Sequence, residues 1–147
     1  MGFFNSVRIA STGLTAQRLR MDTIAENIAN VQTTRTADGG PFRRRTVIFE
    51  EMSDRNRFGL LVSRQLERQG AGVRIRAVAE DFSPGPLMFD PTHPDANEEG
   101  YVMMPNINIV EEMVNMISAS RSYEANITAM TNIRHLTQRI LEIGSGR

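Results

Sequence analysis

Apolar positions at the start of the chain recur at alternating steps of three and four. One set is Val7, Leu14, Met21 and Ile28; the interleaved set is Phe3, Ala10, Gln17, Ile24 and Val31. This spacing keeps one stripe of a helix facing a partner and predicts a coiled-coil-like helix. Gln17 is its one polar member, and a polar seam residue sets register at some cost in stability. Gly13 lies just off the stripe and should weaken the first turns by roughly 1 kcal/mol. The helix is expected to stop near Asn30–Thr34, ahead of ADGGP.

The same pattern returns at the other end. Asn108 followed three residues on by Glu111 makes a capping-box signature. A stripe then runs Ile109, Met113, Met116, Ser120, Tyr123, Ile127, Met130, Ile133, Leu136 and Ile140. Val110, Val114 and Ile117 widen its first turns, and Gly144 marks its expected end. At 1.5 Å per residue the two helices should be roughly 45 and 50 Å long.

Between them the period changes. All six prolines lie from Pro41 to Pro105. VRIRAVA alternates, placing Val73, Ile75, Ala77 and Ala79 on one expected face and Arg74, Arg76 and Val78 on the other. FRRRTVIFE alternates less cleanly, and YVMMP is a short strand candidate. ADGG, RQGAG and SPGP read as turns, and SDRNRFG (Ser53–Gly59) as a variable loop. The fold class is α+β: two long terminal helices forming a coiled-coil-like hairpin, with a small β-rich module inserted between them. The expected parts are 1–36 (N-terminal helix), 37–105 (β-rich module and connectors) and 106–147 (C-terminal helix).

This layout leaves apolar surface to be covered. A thin helical hairpin cannot bury both stripes, and the widened face from Ile109 to Ile117 needs a second neighbour. At roughly 1.5–3 kcal/mol per buried Leu, Ile or Met side chain, such a face drives association. The helical ends are therefore expected to order fully only in an assembly.

Composition narrows the partners. Seventeen basic and seventeen acidic residues cancel, which speaks against a dedicated nucleic-acid binder. The basic residues are all Arg. Their excess sits in residues 1–45 (seven Arg against three acids) and the acids' excess in residues 90–147 (eight acids against four Arg). There is no Cys, hence no disulfide framework or thiolate chemistry. No apolar run is long enough to span a bilayer, so no direct membrane insertion is expected. The N-terminus lacks the apolar core of a cleaved signal peptide. Gly2 and Ser6 match a permissive lipidation pattern, set against Phe3, Phe4 and Val7 as the start of a helix face.

DPTHPDANEEG (Asp90–Gly100) carries the densest candidate chemistry. Asp95, Asn97 and Glu99 followed by Gly100 imitate the first half of a calcium loop, but position twelve is Asn106 and Pro105 interrupts it. His93 has no second His or Cys nearby for zinc. Asp95 and Glu99 could pair for acid/base work only in a concave, partly dry pocket. No nucleophile elbow or phosphate loop is present. No catalytic residue, metal or cofactor is expected. The stretch reads instead as a proline-bounded junction leading to the cap at Asn108.

LTAQRLRMDTIAENIANVQTTRT (Leu14–Thr36), centred on Asn27 and Asn30, resembles the N-terminal signature of bacterial flagellar rod and hook proteins. PFRRRTV and the stretch Leu87–Asn126 resemble, more narrowly, a proximal-rod component of that family. The resemblance implies a non-enzymatic subunit of the basal-body rod crossing the periplasm. Its terminal helices would build a helical tube that transmits torque. The implied partners are copies of the chain, other flagellar rod proteins and the flagellar type III export apparatus, through which it would leave unfolded and without a cleaved signal peptide. Another axial protein of the same apparatus, or more remotely an unrelated coiled-coil adaptor, is the alternative. Expected packing residues are Val7, Leu14, Gln17, Met21, Ile24, Asn27, Ile28, Asn30, Val31, Met113, Met116, Ile117, Tyr123, Asn126, Ile127, Met130 and Ile133. Expected intersubunit charge contacts are Arg43, Arg44 and Arg45 with Asp95, Glu98 and Glu99.

Overall fold

A computed structural model describes residues 3–52 and 72–144. The elements are α1 (Phe3–Ala29), β1 (Arg45–Glu51), β2 (Val73–Glu80), β3 (Leu87–Phe89), β4 (Tyr101–Met103) and α2 (Ile109–Gly144). The architecture is α+β, with two long helices packed together and two small antiparallel sheets between them in sequence. The expected loop Ser53–Gly59, most of the RQGAG turn and Gly2 lie outside the described residues.

The helix ends follow local chemistry. Asn108 Oδ1 accepts the amides of Val110 at 3.0 Å and Glu111 at 3.4 Å, so it caps α2 as the sequence predicts. The other half of the capping box does not form, because the Glu111 carboxylate turns to Arg44 instead. Asn30 closes α1: its side-chain amide donates to Glu26 O at 2.9 Å, and its Oδ1 accepts from Thr33 Oγ1 at 3.1 Å. With 27 and 36 residues, the helices are about 40 and 54 Å long.

α1 and α2 run antiparallel, since Gly13 lies against Asn126 and Asn27 against Glu112. The central covered positions of α2 are Glu112, Met116, Ala119, Tyr123, Asn126, Met130, Ile133 and Thr137, flanked by half-buried Asn115, Ser120 and Ser122. They keep the alternating four-three spacing, but the seam is rotated from the stripe of large residues that the sequence predicts. Met116, Tyr123, Met130 and Ile133 belong to both. Ile109, Met113, Ile127, Leu136 and Ile140 are exposed. Much of the buried set is small or polar: Ala10, Ala16, Ala119, Thr23, Asn27 and Glu112. Gly13 belongs to this seam, not beside it. A Cβ there would meet Asn126 Oδ1 at 2.9 Å, so glycine lets the two backbones approach.

β1 and β2 pair antiparallel and pack on α1. The register shifts between Ile48 and Phe49: Ile48 pairs with Ala77 and Phe49 with Ile75. Arg76 is therefore the extra residue of a β-bulge. The bulge reverses the expected alternation of VRIRAVA. Val78 pairs with Val47 and shares the face of Phe49, Ile75 and Val73, whereas Ala77 and Ala79 lie on the other. β3 and β4 form a three-residue ribbon at the end where α1 stops and α2 begins, with Pro86 near Val31 and Ile109.

Candidate assembly interface

A buried polar node joins both helices to β1. Asn27 and Glu112 are each only 1% exposed. The Asn27 amide group donates to Arg45 O at 2.9 Å and to Glu112 Oε2 at 3.0 Å, and Asn27 Oδ1 accepts from Arg45 N at 2.9 Å. Arg44 supplies the countercharge. Its Nε donates to Glu112 Oε1 at 2.8 Å, and a terminal nitrogen lies 2.7 Å from the same oxygen. Desolvating a carboxylate costs several kcal/mol. Here both its oxygens are satisfied, and it stands in the first turn of α2, where the helix dipole favours negative charge.

The node extends into the connectors. Arg44 N donates to Asn106 Oδ1 at 3.0 Å, and Asp81 N donates to Arg44 O at 2.8 Å. Arg45 bridges Glu26 on α1 at 2.6 Å and Glu80 on β2 at 3.3 Å. Those outer pairs are half-exposed and worth about 0–1 kcal/mol each. Arg44 and Arg45 thus have carboxylate partners inside the chain. Arg43 points away from the node and stacks over Phe82, 4.3 Å from the ring centre. Glu98 and Glu99 are exposed, and Asp95 accepts Thr34 Oγ1 at 2.9 Å beside Arg35 at 3.5 Å.

The stretch Asp90–Gly100 is an ordered turn system. Asp90 Oδ1 accepts the amide and the hydroxyl of Thr92, and that hydroxyl bond holds its carboxyl below the usual range. Asn97 Oδ1 accepts Glu99 N and Tyr101 N. Gly100 has φ +81° and is packed so that a Cβ would lie 3.0 Å from the Phe89 ring. Among the described residues no group of three His, Cys, Asp or Glu is placed to hold a metal, and no helix is long and apolar enough to cross a membrane.

The outer side of α2 is different in character. Val110, Met113, Val114 and Ile117 follow helical spacing and are 70%, 54%, 61% and 55% exposed. Of the other predicted packing residues, Ile24 is buried and Val7, Leu14, Gln17, Met21, Ile28, Asn30 and Val31 are half-buried. Gln17 Oε1 is buried with no hydrogen-bond partner among the described residues. Asn126 donates to Ser122 O at 2.9 Å, so its amide is used within α2. The sequence reading missed Glu112, Asn106 and Ala119. The signal for the first is a carboxylate in the opening turn of a helix, which also fits a plain dipole contact.

Comparison with known proteins gives the chain its relatives. A family described as "Flagella basal body rod protein" matches residues 7–35, and "Flagellar basal body rod FlgEFG protein C-terminal" matches residues 98–143. The flagellar basal-body rod protein FlgC of Borreliella burgdorferi is 48% identical, over 99% of this chain and 100% of its own. That of Bacillus subtilis is 40% identical over 98% and 99%, and that of Salmonella typhimurium 35% over 98% and 99%.

Proposed function

The chain belongs to the FlgC family of flagellar basal-body rod proteins and is a structural subunit of that rod; on that premise we propose that it builds the proximal section, as a tube-forming link in the drive shaft. The carrying observation is the outer face of α2, where Val110, Met113, Val114 and Ile117 are exposed on a helix whose other side is already packed. Contiguous exposed apolar surface of this kind marks an interaction site. Lateral contacts through it, made with copies of the chain and with other rod proteins, close the walls of the tube. The half-buried residues of α1 and the Met116–Ile133 seam keep each subunit's hairpin rigid, so that torque passes along it.

The role is mechanical, and no catalysis, cofactor, nucleic acid or membrane insertion belongs to it. The subunit reaches the rod in the periplasm through the flagellar type III export apparatus, unfolded and without a cleaved signal peptide. The absence of cysteine suits such a route. A distal-rod or hook position is the second reading, favoured by the match of residues 98–143 to a family named for FlgEFG. That match covers one helix and its approach, whereas the FlgC relatives align over nearly the whole chain. Density from basal bodies carrying a labelled copy decides between them. Label in the proximal rod is expected; label in the distal rod or hook would overturn the reading. Deleting the chain should abolish motility.

A further inference from the structure

We infer that Thr12 is a positioning residue: together with Asn27 it pins the β1–β2 sheet to α1 at two points and sets the angle between the sheet and the helical pair. This role is independent of the rod reading.

The first pin is Asn27, which meets both backbone groups of Arg45, the first residue of β1. Those groups point away from β2. Arg44 O takes the amide of Asp81, and inward and outward positions alternate along an antiparallel ladder. Asn27 therefore grips the outer edge of β1.

The second pin lies at the other end of the sheet and on the other strand. Val73, the first residue of β2, pairs with Glu51, the last residue of β1. Met52 N donates to Gly72 O at 2.9 Å, so by the same alternation the Val73 amide points away from β1. It donates to Thr12 Oγ1 at 3.2 Å. That hydroxyl is itself fixed, because it donates to Ile9 O at 2.7 Å and keeps its lone pairs for Val73. Gly72 makes the close approach possible. Its φ is +109°, and a Cβ there would collide with Thr12 Oγ1.

The spacings of the two pins agree. Positions 12 and 27 differ by 15, about 22 Å along a helix. Positions 45 and 51 differ by 6, about 20 Å along a strand. α1 thus runs along the sheet and crosses from the outer edge of β1 to that of β2.

Packing alone leaves slack at this seat. A groove of about 300 Å³ lies between Ser11, Thr15 and Ala16 of α1 and Val73 and Ile75 of β2. Among the residues of β1 and β2 only Val47 is buried, and Phe49 and Val78 are 37% and 44% exposed. Two pins fix a line, whereas one would leave the sheet free to turn about it.

Spin-label distance measurements on the full-length protein test this. The chain has no Cys, so labels on Arg76→Cys in β2 and Arg121→Cys in α2, both exposed positions, report the angle of the sheet against the helices. Labelled protein is diluted in unlabelled protein, so that only distances within one chain are read. With Thr12 in place the distance distribution should be narrow. Thr12→Val keeps the shape and removes the hydroxyl. It should broaden the distribution at least twofold and speed exchange of the Val73 amide at least tenfold. Thr12→Ser keeps the hydroxyl and should restore both. Helix content by circular dichroism should be the same in all three. A Thr12→Val distribution as narrow as the parent's, or a Thr12→Ser distribution as broad as that of Thr12→Val, would overturn the assignment. Loss of helix in Thr12→Val would overturn it too, because the residue would then hold the fold and not an angle.

Discussion

The inner and outer sides of α2 invert the usual distribution of residues. The side against α1 holds Ala119, fully buried, with Glu112 and Asn126, and faces Gly13 and Asn27. The outer side holds Val110, Met113, Val114 and Ile117, all more than half exposed. A self-sufficient domain places its large apolar side chains inside. This chain fixes its own hairpin by close backbone approach and directed hydrogen bonds, with Ile24, Met116, Tyr123, Met130 and Ile133 in the seam, and leaves the wide apolar face of Val110–Ile117 exposed. On the proposed function, intramolecular order and assembly are carried by different residues on one helix.

The strongest way to break that comparison is at the node. Glu112→Ala leaves Arg44 without its closest carboxylate and Asn27 without one acceptor, and breaking a buried pair of this kind costs about 3 kcal/mol. Urea unfolding of the isolated protein measures it; a loss below about 1 kcal/mol would show that the node does not hold the hairpin. Next comes Gly13→Leu, which forces a side chain into the space of Asn126. It should cost about 1–3 kcal/mol, read from the same unfolding curves, despite leucine's better helix propensity.

A local effect follows. Amide exchange should be slow over residues 112–126 and fast over residues 139–144 in the isolated protein, because among the described residues no part of α1 lies beside the tip. Uniform protection along α2 would contradict the division into a self-packed and a neighbour-dependent part. The smallest effect sharpens the role of the acidic turn. Hydrogen bonds from Ser83 and Thr92 depress the carboxyls of Asp81 and Asp90 below their ordinary value of 3.8. A depressed carboxylate contributes stability that is present above its unfolded value and lost as pH falls through the folded one. Unfolding followed from about pH 5 to about pH 2 should show a shallow loss that Asp90→Asn reduces. An unchanged profile in that variant would remove Asp90 from the account.

Much of this fold is legible in the sequence. The prolines bracket the module, Asn108 marks the start of α2, and Asn30 lies where α1 ends. The orientation of the helical pair is not legible, because a hydrophobic stripe points to whatever surface will cover it. In an assembling protein that surface belongs partly to another chain. Reading large residues as inner ones therefore rotates the seam, and Met116, Tyr123, Met130 and Ile133 are the large residues that serve both descriptions. The bulge at Arg76 is hidden for a related reason: alternation along one strand says nothing of an extra residue opposite its partner. The Arg44–Glu112 pair joins positions 68 apart, and the arginine run that contains it looks equally suited to a neighbouring subunit. Asn27 and Arg44 stand out in the sequence as assembly residues, and both lie in the buried node, but their partners inside the chain are visible only in three dimensions.

The central claim is that the outer face of α2 serves assembly and not the fold. Replacing Val110, Val114 and Ile117 together with Ser, then measuring unfolding free energy and incorporation into basal-body rods in the same variant, tests it most directly. Surface changes away from special features shift stability by about 0.5 kcal/mol or less each. The account predicts stability close to the parent's, with rods and motility lost. Normal rods from this variant, or unfolding as severe as that of Glu112→Ala, would contradict it.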